Sequence, residues 1–138
     1  MADAQANKET VRAYLDQVWK KKDRAAIDRY IAPGYVQHAR GTPPGREGVK
    51  AFFAMIDSAF SGADYAAEDF TADGDRVAWR WTLRAKHTGP FQGLPATGRT
   101  VAFTGMSMVR VEAGQLAEYW GEQDTFGLLQ QLGVLPSK

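Results

Sequence analysis

The sequence contains no cysteine and only two histidines, His38 and His87. Without a thiol there is no disulfide, no thiolate zinc site and no cysteine nucleophile. Two imidazoles far apart in sequence leave any metal site dependent on carboxylates with no ligand spacing, so no metal is expected. No apolar run approaches the ~18 residues of a membrane-spanning helix. The opening MADAQANKETVRAYL has no apolar leader core. A soluble, cytoplasmic protein with no membrane partner is therefore expected. Charge of one sign is also missing: 17 Lys and Arg against 16 Asp and Glu give a net charge of +1. That balance offers no electrostatic footprint for nucleic acid, and KKK at 20–22, beside Asp23, reads as a solvated helix end. There is no GxGxxG after a strand, no GxxxxGK[ST] and no HExxH. GMSMV at 105–109 is not GxSxG, and no strand-to-helix elbow surrounds Ser107.

What is present suits one domain spanning residues 1–138, with 44% hydrophobic and 24% charged residues. From Lys8 to Lys20, Val11, Tyr14, Leu15, Val18 and Trp19 recur at helical spacing. A second short helix is expected over Arg24 to Ile31 with Asp23 as its N-cap. YVQHA then reads as a short strand and RGTPPG as a loop. A third helix starts near Arg46, shows Val49, Phe52, Phe53, Ile56 and Phe60 on one face, and is closed by Gly62. Beyond it the period changes to two. DYAAEDFTA and RVAWRWTLRAKHT flank the turn DGD at 73–75, RTVAFTGMSMVRV and QLAEYWGEQ flank EAG, and TFGLLQQLG forms a terminal helix. Three helices followed by three or four long antiparallel strands make an α+β domain. On RTVAFTGMSMVRV, Val101, Phe103, Val109 and Val111 share one parity, while Met106 and Met108 share the other with Trp120 on the next strand. One face serves the core or a pocket; the other calls for cover, most economically by a second copy of the chain.

The chemistry left to such a chain is proton transfer. In WRWTLRAKHTG, residues 79–89, Trp79, Trp81, Leu83 and Ala85 share the apolar face, and His87 is its next member. His87 is thus either a hydrogen-bonded core residue or a pocket residue. His38 ends a strand, where solvent, a loop carbonyl or a ligand are all open to it. Glu118, Glu122 and Asp124 cluster on or just after the last strand. A carboxylate in an apolar pocket has its pKa raised toward neutrality, which suits acid/base work. Asp124 directly precedes TFGLLQQL and has a second reading as a helix cap.

HTGPFQGLPATGRTVAFTGMSMVRVEAGQLAEYWGEQDTFGLLQQLG, residues 87–133, closely resembles the SnoaL-like polyketide cyclase (ester cyclase) family, and YVQHA…PPGREGVKAFF fits the same pattern upstream. The resemblance implies the NTF2-like cone: a curved antiparallel sheet packed on three N-terminal helices, with a short C-terminal helix and a deep pocket open at one end. It also implies frequent dimerisation through the outer sheet face. The founding enzymes close a ring by intramolecular aldol condensation, with no cofactor and no metal, using a pocket Asp. In register with them, that Asp slot falls at Gly121 and an accompanying His slot at Ser107, so the founding pair is not carried over. Asp124 matches the Asp that begins the family's final helix, and His87 matches its H-x-G.

The expected activity is cofactor-independent acid/base chemistry beside a carbonyl: aldol-type cyclisation, isomerisation or a related lyase step on a hydrophobic small molecule. Asp124 leads as acid/base, with His87 orienting a substrate oxygen and Glu122 and His38 in reserve. Trp19, Phe53, Trp81, Phe103 and Tyr119 are the expected walls. Two other classes remain: a non-catalytic binding protein with the same pocket, and an NTF2-like module whose sheet face binds another protein.

Overall fold

A computed structural model of the chain describes residues 3–39 and 43–135. Residues 40–42 of the expected RGTPPG loop lie outside it. The fold is the α+β domain that the sequence pattern predicts, with one five-stranded sheet packed on helices as the resemblance implies. Helix α1 (Ala4–Tyr14) starts at Asp3, whose carboxylate accepts the N–H groups of Gln5 and Ala6. It runs into a π-helical turn, Leu15–Lys20, that buries Val18 and Trp19 together. A 3-10 turn (Arg24–Ala26) and the one-turn helix α2 (Ile27–Tyr30) follow. Asp23 does not cap them: its carboxylate accepts from Gln17 Nε2 at 2.7 Å instead. Strand β1 (Ile31–His38) is longer than expected.

Helix α3 (Gly45–Ala59) buries Val49, Phe53 and Ile56, spaced four and three residues apart, each worth roughly 1.5–3 kcal/mol. Gly62 does not close it. The helix stops at Ala59 because Phe60 already takes extended dihedrals, and Gly62 lies within β2 (Phe60–Asp73) at φ +62°. Strands β3 (Arg76–His87), β4 (Thr100–Glu112) and β5 (Gln115–Gln123) complete the sheet, and α4 (Thr125–Gln131) ends the fold. The β4–β5 turn has only Ala113 and Gly114 between the strands, both at positive φ, the geometry that a right-handed twist selects.

The sheet order is β1-β5-β4-β3-β2. The long strands pair antiparallel, whereas β1 joins β5 in parallel. Helix α1 packs on β2 and β3, α3 on β1 and β2, and α4 on β4. The inner face changes character along the strands. Val77, Val109 and Val111 are fully or nearly fully buried and, with Ile27, Ile31 and Val11, make a solid aliphatic core. Farther along β3 and β4 the inward residues become Trp79, Trp81, Leu83, Phe103 and Ser107. These bulky groups, with Trp19 and Phe53 from the helices, line a cavity.

Candidate functional site

The cavity has a volume of about 930 Å³, enough for a drug-sized ligand. All five expected walls line it: Trp19, Phe53, Trp81, Phe103 and Tyr119. The rings are ordered by mutual contact. Trp19 stacks on Tyr65 with centroids 4.4 Å apart, Tyr65 on Trp81 at 5.6 Å, and Phe103 meets Trp81 edge-on at 6.0 Å. The π-helical turn that delivers Trp19 is fixed by Arg24. Its guanidinium donates to the Val18 carbonyl at 2.6 Å, forks onto Asp57 of α3, and lies 4.5 Å over the Phe53 ring.

Hydroxyls and indole N–H groups form hydrogen-bonded pairs in the lining, beside Gln37, Gln92, Gln123, His38 and Glu122. Trp81 Nε1–H donates to Ser107 Oγ at 3.0 Å, and Ser107 Oγ lies 2.8 Å from the Tyr119 hydroxyl. Trp79 Nε1–H donates to the Tyr65 hydroxyl at 2.9 Å, and the Tyr35 hydroxyl donates to Gln37 Oε1 at 2.8 Å. Burial pushes the phenols of Tyr14, Tyr35, Tyr65 and Tyr119 upward, and their proximity to one another adds to this for Tyr14, Tyr35 and Tyr65; for Tyr119 the Ser107 hydrogen bond partly offsets the rise. All four are neutral donors under physiological conditions. The sequence predicts Tyr119 only as a flat wall and marks Ser107 only as the slot of the founding histidine. Counting back across the EAG turn was the available signal, since Ser107 pairs with Gly121 in the β4–β5 ladder.

Of the four expected catalytic residues, Glu122 and His38 line this cavity, whereas His87 and Asp124 do not. His87 is fully buried, as its parity predicts, but does not line the cavity. Phe60 and Phe91, which do line it, pack on the imidazole with centroids at 5.6 and 6.4 Å. Parity says inside; it does not say which inside. Beyond the end of β3, Phe91 of the loop over residues 88–99 is buried, and the His87 N–H and carbonyl pair with the Arg99 carbonyl and Gly98 N–H of the same loop. There Thr97 N–H donates to His87 Nδ1 at 3.1 Å, which leaves the proton of the neutral ring on Nε2. Nε2 is buried with no hydrogen-bond partner among the described residues.

Asp124 is exposed and also off the cavity lining. Its Oδ1 accepts Gly127 N–H at 2.9 Å, so it caps α4. Glu122 is the one carboxylate among the described lining residues, at the exposed end of β5 and in strand alternation with Glu118 and Trp120. His38 lies at the rim, stacked on Trp120 at 5.3 Å, with Nε2 2.7 Å from Glu118 Oε2. Arg110 Nε donates to the other oxygen of Glu118 at 3.1 Å. These bonds, His38 first and Arg110 second, hold the Glu118 carboxyl below its ordinary range. Among the described residues no group of three or more His, Asp or Glu side chains could hold a metal ion. No helix is long and apolar enough to cross a membrane.

Comparison with known proteins agrees with this architecture. The family model described as SnoaL-like polyketide cyclase matches residues 9–132. The aklanonic acid methyl ester cyclase DnrD of Streptomyces peucetius is 29% identical over 108 residues, covering 75% of this chain and 72% of that protein. The structure of TsrD from Streptomyces laurentii superposes with a TM-score of 0.87 at 26% identity, over 98% of this chain and 100% of the other. IdmH from Streptomyces antibioticus gives a TM-score of 0.77 at 31% identity, over 93% and 99%.

Proposed function

The chain belongs to the SnoaL-like polyketide cyclase family, and on that footing we propose that it is a cofactor-independent enzyme acting on a hydrophobic, carbonyl-containing small molecule. The reaction class is proton transfer beside the carbonyl, expressed as aldol-type cyclisation, isomerisation or a related lyase step. The observation that carries this reading is the cavity of about 930 Å³, walled by stacked aromatic rings and holding neutral hydroxyls. Such walls fit a flat apolar frame and desolvate it, which strengthens every hydrogen bond to its oxygens.

Glu122 takes the role of acid/base in this account, a role that requires its side chain to turn in at the cavity mouth, because its parity on β5, shared with Glu118 and Trp120, is opposite to that of Tyr119 and Gly121. Its carboxylate removes a proton from the carbon next to the carbonyl and returns it after rearrangement. Asp124, engaged in capping α4, stands second. His38 is held by Glu118, and His87 supports the loop that carries Phe91 and Gln92 at the cavity. The test is exchange of the α-protons of α-tetralone in deuterated water, followed by NMR. Wild-type protein accelerates exchange, and Glu122→Gln loses the acceleration by about 100-fold or more.

A second reading is a non-catalytic binding protein. It is favoured by the absence, among the described residues, of a buried carboxylate or imidazole in the cavity lining. Binding of the ketone without accelerated exchange would establish it. We also propose that the chain forms a homodimer through the outer sheet face, where Met106 and Val36 are 66% and 47% exposed. A monomer in sedimentation at micromolar concentration would refute that.

A further inference from the structure

We propose that Tyr119, backed by Ser107 and Trp81, is the hydrogen-bond donor that takes the ligand's carbonyl oxygen in this cavity. The proposal rests on the small-molecule reading above and assigns a polar task to residues so far described only as walls.

The hydrogens available to this cluster single out one donor. An indole N–H only donates, and Trp81 gives its hydrogen to Ser107. Ser107 and Tyr119 each own one hydroxyl hydrogen and share one hydrogen bond. Three hydrogens enter two bonds, so one hydrogen is left to donate elsewhere. Ser107 is 5% exposed, whereas Tyr119 is less deeply buried, and both line the cavity. Were Tyr119 to donate inward, the spare hydrogen would sit on the deeper oxygen, where no further acceptor is recorded among the described residues. The favourable order runs outward: Trp81 to Ser107, Ser107 to Tyr119, Tyr119 to the cavity. Donation in one direction polarises each successive hydroxyl and makes the terminal one the strongest donor.

Position 121 explains how the phenol reaches that place. Tyr119 and Gly121 are two residues apart on β5 and face the same side. A Cβ at 121 would fall within 2.7 Å of the Tyr119 ring carbons. Glycine lets the phenol lie along its own strand toward Ser107, which is paired with Gly121 on the neighbouring strand.

The neighbouring β2–β3 pair repeats the device. Trp79 donates to Tyr65, whose own hydroxyl hydrogen is again not used in that bond. Gln37 Oε1, an acceptor in the cavity lining, is taken by Tyr35. The cavity thus offers hydrogens and selects ligands with acceptor oxygens, ketones and esters above amines.

Calorimetry with α-tetralone and tetralin, one frame with and without a carbonyl, tests the proposal. Tyr119→Phe should weaken α-tetralone by about 3–10-fold while leaving tetralin unchanged. The infrared carbonyl stretch of bound α-tetralone should lie at lower frequency in wild type than in Tyr119→Phe. This wild-type band, compared with the ketone in hexane, is readable even if the variant does not fold. An equal effect on both compounds, or a wild-type band at its hexane position, overturns the proposal and leaves the binding reading intact. If wild-type protein binds neither compound, the small-molecule reading fails and this inference with it.

Discussion

The phenol of Tyr119 lies over Gly121, filling the space that a side chain at 121 would occupy. Gly121→Ala therefore drives a methyl group into a ring that is itself hydrogen-bonded to Ser107. Overpacking of this kind costs roughly 1–3 kcal/mol. Thermal unfolding should show a clear fall in Tm, and Tyr119→Ala combined with Gly121→Ala should recover part of the overpacking cost. If Gly121→Ala melts like wild type, the phenol does not sit where it is described.

Asp124 separates capping from catalysis. Asn caps about as well as Asp, so Asp124→Asn should leave Tm almost unchanged, whereas Asp124→Ala should cost about 0.5–2 kcal/mol. Neither change should affect α-proton exchange, because the side chain does not line the cavity. A collapse of exchange in Asp124→Asn with an unchanged Tm would return the acid/base role to this residue.

His87 is a core residue, and its loss should act on stability first. His87→Ala removes a fully buried ring and the acceptor of Thr97 N–H, an expected cost of roughly 2–4 kcal/mol. Chemical denaturation measures it, and a change below about 1 kcal/mol would contradict the buried placement.

Glu118 gives the fold an acid-sensitive contact on the rim. His38 and then Arg110 hold its carboxyl below the ordinary value near 4.5, so the unfolded chain takes up this proton at higher pH than the folded one. The stabilisation is complete above that ordinary value and is lost as pH falls through the lowered one. Urea unfolding across this acid range should show stability falling with pH, and Glu118→Gln should flatten that limb. An identical acid limb in the variant would show that Glu118 does not carry it.

The strand half of the fold was largely legible. Alternation from Val77 to His87 matches the buried positions of β3, and DGD and EAG mark the two tight turns. The family pattern pointed to the cone and its pocket, and aromatic residues of the right parity became its walls. Three features resisted. β1 pairs in parallel with a strand some 80 residues later, a contact that no local period encodes. Asp23 and Gly62 had the chemistry of caps, but Gln17 claims the first and the early extended dihedrals of Phe60 override the second. The Ser107–Tyr119 bond depends on hairpin register and on a glycine beside it, and each residue alone looks ordinary.

The most direct test of the account is a crystal structure of the protein with α-tetralone bound. The ligand should lie inside the cavity, its ring against Trp19, Tyr65 and Trp81, with its oxygen within hydrogen-bond distance of Tyr119 and Glu122 the nearest carboxylate. A ligand seated outside the cavity, in the shallow surface depression beside Asp124 or on the outer sheet face, would contradict it.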